Sequence, residues 1–402
     1  MWCYVLAQVK RITTSYQGHC LDPLWVILDG QSSPPLLPLL YTSFLSKNGV
    51  VYEAREALDE TSPRRMKFLI EKDVSDATIR SYVYCLAQFL SHLENCRIQY
   101  QTAGMHLSSA CSQRFVNHYL NNVLPKRLDS FQSLRNHQSA LVAYFNWLAY
   151  MEISPRLELK IHRKTRQLMA DLSNKKHYIQ YVSRSGRAKL LNCCESLAEK
   201  LVMRMGFEVG LRTSEMMGLR VFGEDGLLSL FENLESRDFT HVDQFRYRLK
   251  GRYTKGGKSR WIYFDRLLLR DMKRYFETER QWLVDQSNST DASFFLRTDH
   301  GFKGTGIGRE HASRVFRKRV PAAGLNPLLH FHDLRHTFAT ELFHAELAAP
   351  YGRETRSESA ALIVVSQRLG HAMGKDGYAS PVTTRYVRMR LQMLEIEGSE
   401  NG

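Results

Sequence analysis

The sequence predicts a mainly α-helical protein with a small antiparallel β-sheet, and three observations carry that prediction. From Ser75 onward, Ile79, Tyr82, Val83, Leu86, Phe89, Leu90 and Leu93 recur at the spacing of one helical face. Between Phe245 and Phe264 the pattern changes to the alternation of a half-buried strand. At 402 residues the chain is long enough for two or three domains, and its character changes from helical to mixed near residue 177.

The elements follow in order. Residues 1–63 hold strand-like and proline-bearing pieces, such as Trp25-Val26-Ile27-Leu28 before Asp29-Gly30, and read as an N-terminal extension of unassigned fold that packs or contacts protein. Leu36 to Leu45 is apolar after Pro34 and Pro35, a buried packing segment too short for a membrane span. A helical domain over 64–176 begins with a helix capped by Ser75 or Asp76 and continues with helices near 108–123, 132–150 and 156–173. The third carries Leu141, Tyr144, Phe145, Trp147 and Leu148. A mixed domain over 177–396 opens with helices near 185–194 and 196–209, the second ending at Gly210, a residue suited to a helix C-terminus. A short helix starts at Ser214, the alternating segment follows, and residues 397–402 form a tail.

The composition narrows the function. Lys and Arg number 56 against 41 Asp and Glu, a formal charge of +15, which fits a polyanionic partner or simply a basic soluble protein. Residues 1–60 carry four basic and six acidic side chains, so the surplus lies beyond them. Seven cysteines, an odd number with no C-x-x-C pair, point to a reduced intracellular protein. Lys10 and Arg11 interrupt the apolar start, and no run reaches about 18 apolar residues, so a cytoplasmic location without a membrane partner is expected. There is no G-x-x-x-x-G-K-[ST] loop and no Cys/His cluster, so no cofactor or metal is implied. Gly304-Thr305-Gly306-Ile307-Gly308 lacks nucleotide-loop spacing and reads as a flexible loop.

Six polar residues of the second half supply a distinct chemistry. Arg212 and Arg335 are guanidiniums able to grip a phosphate, Lys255 an ammonium able to protonate an alkoxide, His332 and His371 imidazoles, and Tyr386 a nucleophilic phenol. That inventory suits attack on a phosphodiester without a metal. Phe245 to Arg260 is rich in cations and has no acid. Alternation puts Arg246, Arg248, Lys250 and Arg252 on one face opposite Phe245, Tyr247 and Leu249. Gly256-Gly257 suits a two-residue hairpin turn, with Lys255 opposite Lys258 at the tip; a solvated surface hairpin is the bland alternative. In Phe331 to Leu342, His332 and Arg335 share the wet face of a helix whose other side is the apolar stripe Leu334, Phe338 and Leu342. Arg163, Lys164 and Arg166 form a basic run between the two domains, either a solvated face or a place for phosphates.

Read in order, Gly210-Leu211-Arg212-Thr213-Ser214-Glu215, Thr254-Lys255-Gly256-Gly257-Lys258-Ser259-Arg260, His332-Asp333-Leu334-Arg335-His336-Thr337-Phe338-Ala339-Thr340, Leu369-Gly370-His371 and Thr383-Thr384-Arg385-Tyr386 resemble the motifs of the tyrosine recombinase (phage-type and Xer-like integrase) family over about residues 70–395. The resemblance implies a helical, SAM-like core-binding domain and a mixed α/β catalytic domain closing as a C-shaped clamp on duplex DNA. It implies cleavage through a 3′-phosphotyrosyl link, for integration or excision of a mobile element in a prokaryotic cell. It further implies a homotetramer on two sites, with accessory DNA-bending or directionality proteins as possible partners. By the same resemblance Arg212 and Arg335 hold the phosphate and Glu215 orients the arginines. Lys255 protonates the leaving oxygen, His332 assists proton transfer, His371 bonds a phosphate oxygen and Tyr386 attacks. Arg246, Arg248, Lys250, Arg252, Lys258, Arg260, Arg163, Lys164 and Arg166 are the expected DNA contacts.

Arg335 to His371 and His371 to Tyr386 are long intervals, with Pro350 to Ser359 resembling an insertion. Tyr378 therefore competes as nucleophile, although Tyr386 follows Thr383-Thr384 and opens a helical run. A DNA-binding regulator that has lost the chemistry and a type IB-like topoisomerase are the alternative functions.

Overall fold

The computed structural model describes residues 7–13, 15–16, 19–20, 23–59, 62–100, 104–174, 180–223, 225–347, 357–371 and 385–401. The chain divides into two compact units, residues 1–178 and 179–402.

The first unit opens with strands β1 (Gln8–Ile12), β2 (Ser15–Tyr16), β3 (His19–Cys20) and β4 (Leu24–Leu28), with β1 antiparallel to β4. Helix α1 (Leu36–Asn48) leads into a long hairpin of β5 (Val50–Asp59) and β6 (Ser62–Asp73), and then into α2 (Asp76–Tyr100). After α3 (Gln113–His118), which runs on through a π-helical turn (Tyr119–Val123) and a 3-10 turn (Leu124–Lys126), come α4 (Phe131–Tyr150) and α5 (Arg163–Asn174). Ile27, Tyr41, Leu45, Val51 and Tyr52 share one apolar core with Val83, Leu86, Phe89 and Leu90 of α2 and Leu141, Tyr144, Phe145 and Leu148 of α4. The separate extension expected over 1–63 is thus part of this core, and residue 63 lies within β6. The helices alone leave an apolar face that α1 and the hairpin cover.

The helix expected from 156 begins only at Arg163. A ladder of amide side chains explains the difference. Gln113 Oε1 accepts the Glu158 N–H (2.8 Å), and Asn117 accepts the Lys160 N–H (2.8 Å) while donating to the Glu158 carbonyl (3.1 Å). Asn121 accepts the His162 N–H (2.7 Å) and donates to the Lys160 carbonyl (2.8 Å). These residues stand four apart, so one helical face serves 158–162 as a neighbouring strand would.

The second unit contains α6 (Arg184–Asn192), α7 (Leu197–Phe207), α8 (Leu227–Glu235), the antiparallel pair β7 (Gln244–Leu249) and β8 (Arg260–Asp265), and α9 (Arg266–Tyr275). It closes with α10 (Gln281–Ser287), α11 (His311–Ala322), α12 (Phe331–Leu347), α13 (Glu358–Leu369) and α14 (Arg385–Asn401). Its main core gathers Leu201 and Met205 of α7, Phe245 and Leu249 of β7, Ile262 and Phe264 of β8, and Phe331 and Leu334 of α12. A second core joins Ala339 and Phe343 of α12, Val365 and Leu369 of α13 and Met389 and Met393 of α14, so α14 packs on its own chain. No helix among the described residues is long and apolar enough to cross a membrane, and no metal-ligating cluster occurs among them. The architecture is mainly helical with small antiparallel sheets, as the sequence predicts.

β7 follows the expected alternation, with Phe245, Tyr247 and Leu249 buried and Arg246 and Arg248 exposed. The turn differs. The last rung pairs Leu249 with Arg260, which leaves a ten-residue connection rather than a two-residue turn. Gly251–Tyr253 forms one turn of 3-10 helix within it, so Arg252 leaves the strand stripe.

Candidate active site

The site is built on the ends of three helices. After α7, Gly210 adopts a left-handed conformation (φ +71°), and a Cβ there would stand 2.4 Å from the Phe338 ring, so only glycine fits this turn. It delivers Arg212 in an extended conformation before the turn Thr213–Gly218. Glu215, within that turn, is fully buried. Its carboxylate accepts the Arg212 backbone N–H (2.8 Å) and the Arg212 guanidinium (2.7 Å). Arg260 Nη2 reaches the same carboxylate at 2.8 Å and Arg335 Nη1 at 3.3 Å.

Arg335 lies on the first turns of α12, where Asp333 caps the start by accepting the His330 N–H at 2.7 Å. The wet face expected for this arginine is absent: Arg335 is fully buried. It donates to the carbonyl of Gly210 and, at 2.7 Å, to that of Leu369. Both carbonyls follow or end helices, where acceptors lack intrahelical partners and carry partial negative charge. Arg335 is therefore held by the exits of α7 and α13 as well as by Glu215.

His332, one helical turn earlier, stands edge-on to His336 with ring centroids 4.5 Å apart. His371 follows the left-handed Gly370 that ends α13, and its Nε2 lies 3.5 Å from Arg335 Nη2. Lys255 is exposed in the ten-residue connection. Tyr386 occupies the first turn of α14, but its side chain lies outside the described residues, as does all of Tyr378.

Three guanidiniums around one carboxylate leave a surplus of positive charge, and the ionisations follow. Burial pushes the Glu215 carboxyl up, and Arg260, Arg335 and Arg212 together overcome this and hold it below its ordinary range. His371 is lowered to about 4 by burial, then by Arg335 and Arg212. His332 is also lowered to about 4, by crowding and then by the same two arginines. His332 is itself exposed. Both imidazoles are neutral at pH 7. The net charge of the cluster is therefore positive, which favours an anion beside it.

Arg246 and Arg248 are exposed on β7, the first with its guanidinium 4.8 Å from the Trp261 ring centroid. Lys250 lies 3.9 Å from Asp225, Arg252 stacks on Tyr253, and Lys258 is exposed. Arg163, Lys164 and Arg166 are exposed on α5 of the first unit. Arg260, expected among these surface cations, is instead only 9% exposed and belongs to the Glu215 cluster. The sequence held a signal for this: Arg260 alternates in phase with buried Ile262 and Phe264 rather than with exposed Trp261.

Three guanidiniums and two neutral imidazoles around a buried carboxylate form an arrangement that can bind an anion such as a phosphate. The phage integrase family profile matches residues 184–350, which contain Arg212, Glu215, Lys255, His332 and Arg335. Tyrosine recombinase XerC of Oceanobacillus iheyensis is 23% identical over 305 residues, covering 75% of this chain and 84% of that protein. Tyrosine recombinase XerD of Chlorobaculum tepidum is 22% identical over 321 residues, covering 75% and 84%. Among solved structures, a lambda integrase dimer bound to a COC′ core site aligns with a TM-score of 0.43 at 12% identity, over 78% of this chain and 72% of that one. The chain is similar to tyrosine recombinases over three quarters of its length, and its second unit carries the phage integrase domain. Enzymes of this family break and rejoin DNA.

Proposed function

We propose that this chain is a site-specific DNA recombinase that cleaves and rejoins duplex DNA through a 3′-phosphotyrosyl intermediate, in the integration or excision of a mobile element. The observation that carries the reading is the convergence of Arg212 and Arg335 on buried Glu215, with His332 and His371 beside them. Glu215 orients both guanidiniums and only partly neutralises them, so a phosphodiester supplies the missing negative charge. A free tyrosine titrates near about 10, so the Tyr386 phenol needs a proton acceptor or cations to attack at neutral pH. His332, neutral and solvent-open, is suited to accept that proton. The phenolic oxygen then bonds to phosphorus as the bond to the 5′ oxygen breaks, and Lys255 protonates that oxygen. His371 and the arginines hold the non-bridging oxygens, whose charge grows in the transition state.

We further propose that both units contact the duplex, with Arg246, Arg248, Lys250, Arg252, Lys258, Arg163, Lys164 and Arg166 along its backbone. A tetramer on two sites, with accessory DNA-bending proteins, completes the reading, and it acts in the cytoplasm. The test is to incubate purified protein with supercoiled DNA from the flanks of its own gene and quench with detergent. A protease-sensitive covalent adduct, lost with Tyr386→Phe and kept with Tyr378→Phe, is the expected result. Specific binding without an adduct would reject the catalytic reading. An adduct without recombinant junctions between two sites would leave a topoisomerase.

A further inference from the structure

The function proposed above explains Arg212, Arg335 and Lys255 but leaves the third guanidinium of the cluster unused. Arg260 is the first residue of β8 and forms the last rung with Leu249, so it marks the point where the Lys255 connection returns to the folded body. The connection is braced within itself. The Gly251 N–H donates to Ser259 Oγ (2.9 Å), and Thr254 Oγ1 lies 2.7 Å from the Lys258 carbonyl. A Cβ on Gly251 would fall 2.0 Å from the Gly257 carbonyl oxygen, so the two sides of the loop touch.

Such a braced body moves as a unit, and its aim depends on its anchors. One anchor is apolar: Tyr253 lies against Gly218, where a Cβ would stand 3.0 Å from it. The other is the Arg260 fork, with Nη2 on Glu215 (2.8 Å) and Nη1 on the carbonyl of Arg368. The stem of Arg260 runs beneath the turn that presents His371. A Cβ on Gly370 would lie 2.5 Å from Arg260 Cδ, so the left-handed glycine before His371 also makes room for this arginine.

We propose that Arg260 is a positioning residue that locks the Lys255 connection to the Glu215 cradle and to the His371 turn, so that the ammonium meets the leaving 5′ oxygen. The proposal rests on the recombinase reading. Without Arg260 the cradle keeps the Arg212 and Arg335 contacts to Glu215, whereas the connection loses its polar anchor. The His371 turn stays held by Arg335 through the Leu369 carbonyl, so the defect falls on leaving-group protonation rather than on phosphate capture.

The test uses the full-length chain and a duplex from the flanks of its gene, with the scissile phosphate mapped on the wild-type adduct. A second duplex carries sulfur in place of the bridging 5′ oxygen there. In that substrate the S–P bond breaks as Tyr386 bonds to phosphorus, and the thiolate departs with the electron pair and needs no proton. On the oxygen substrate, Arg260→Met slows adduct formation by roughly 10²-fold, as loss of a general acid does, with gel-shift affinity unchanged. On the sulfur substrate Arg260→Met and Lys255→Ala both recover to near the wild-type rate, and Arg212→Ala does not. Arg260→Lys keeps the charge but cannot bridge both acceptors, so it is intermediate and recovers in the same way. Equal slowing of Arg260→Met on both substrates, or no slowing on oxygen, overturns the proposal. A wild-type chain that forms no adduct overturns the recombinase reading itself, which separates the two failures.

Discussion

Arg335 donates to the carbonyl of Leu369, two residues before His371, and thereby ties the start of α12 to the end of α13 from a fully buried position. The same side chain reaches Glu215 and the Gly210 carbonyl, so a residue assigned to phosphate binding also holds three segments together.

The two family arginines should consequently separate in stability while agreeing in activity. Arg335→Ala leaves buried acceptors and part of the Glu215 charge uncompensated, and it is expected to cost roughly 3–5 kcal/mol of folding stability. Arg212 is about one-fifth exposed and leaves Glu215 with two other guanidiniums. Arg212→Ala should cost closer to 1 kcal/mol. Both should lower the rate of adduct formation by at least about 10²-fold. Denaturant melts of the two variants check the first statement, and equal losses of stability would contradict it.

Acid should weaken the fold through neutral histidines. His92 and His137 of the first unit and His371 of the second are each lowered to about 4, with burial the leading cause. In the unfolded chain a histidine titrates near about 6.5. A group whose folded value is depressed binds its proton more readily when unfolded, so stability is complete above that unfolded value and falls as pH drops toward 4. The urea midpoint should decline steadily from pH 7 to pH 5. His137→Leu, which removes a buried ring only 4% exposed, should flatten that decline even if it lowers the midpoint at pH 7. An unchanged slope would contradict the assignment.

Much of the site was legible because its residues sit at helix starts and exits that local pattern marks. Gly210 announces the end of α7 just before Arg212, and the apolar stripe with Leu334 places His332 and Arg335 on one turn. What local pattern does not carry is long-range burial. Arg335 read as wet because its sequence neighbours give no sign that the carbonyls of Gly210 and Leu369 arrive from elsewhere. Arg260 read as a surface cation because charge outweighed its phase with Ile262 and Phe264. The N-terminal segment read as separate because the apolar face of α2 and α4 that it covers lies far along the chain.

The amide ladder on α3 and the turn that continues it should control the segment that enters α5. Asn117 and Asn121 each bond the 158–162 backbone through both ends of the side-chain amide. Asn121→Ala removes two such bonds and leaves the Lys160 carbonyl and His162 N–H to water, at a cost of about 1 kcal/mol per bond. Lys160, Arg163 and Lys164 then become better trypsin sites. Limited proteolysis should cleave there faster in Asn121→Ala than in wild type, and an unchanged pattern would show that the segment is held by other contacts.

The last expectation concerns the helix that bears Tyr386. Tyr181, at the start of the second unit, lies with its hydroxyl 2.7 Å from both Glu341 of α12 and Glu397 of α14. One phenolic hydrogen serves two carboxylates here, and Arg187 supplies the compensating charge through two bonds to Glu341 (2.9 and 2.6 Å). Burial and both carboxylates push the phenol well above its ordinary range, so it stays a donor at any working pH. Tyr181→Phe keeps the ring among Met389, Met393 and Phe343 but removes the hydrogen that the two acids share. The two carboxylates then face each other without it, and α14 loses one polar tie while keeping the Arg390–His344 bond, the Arg184–Glu397 pair and its apolar contacts. Amide exchange in α14 should accelerate by roughly tenfold, as about 1.4 kcal/mol of local opening energy implies, with α7 and α9 unchanged. Acceleration throughout the unit would mean instead that Tyr181 supports the whole core.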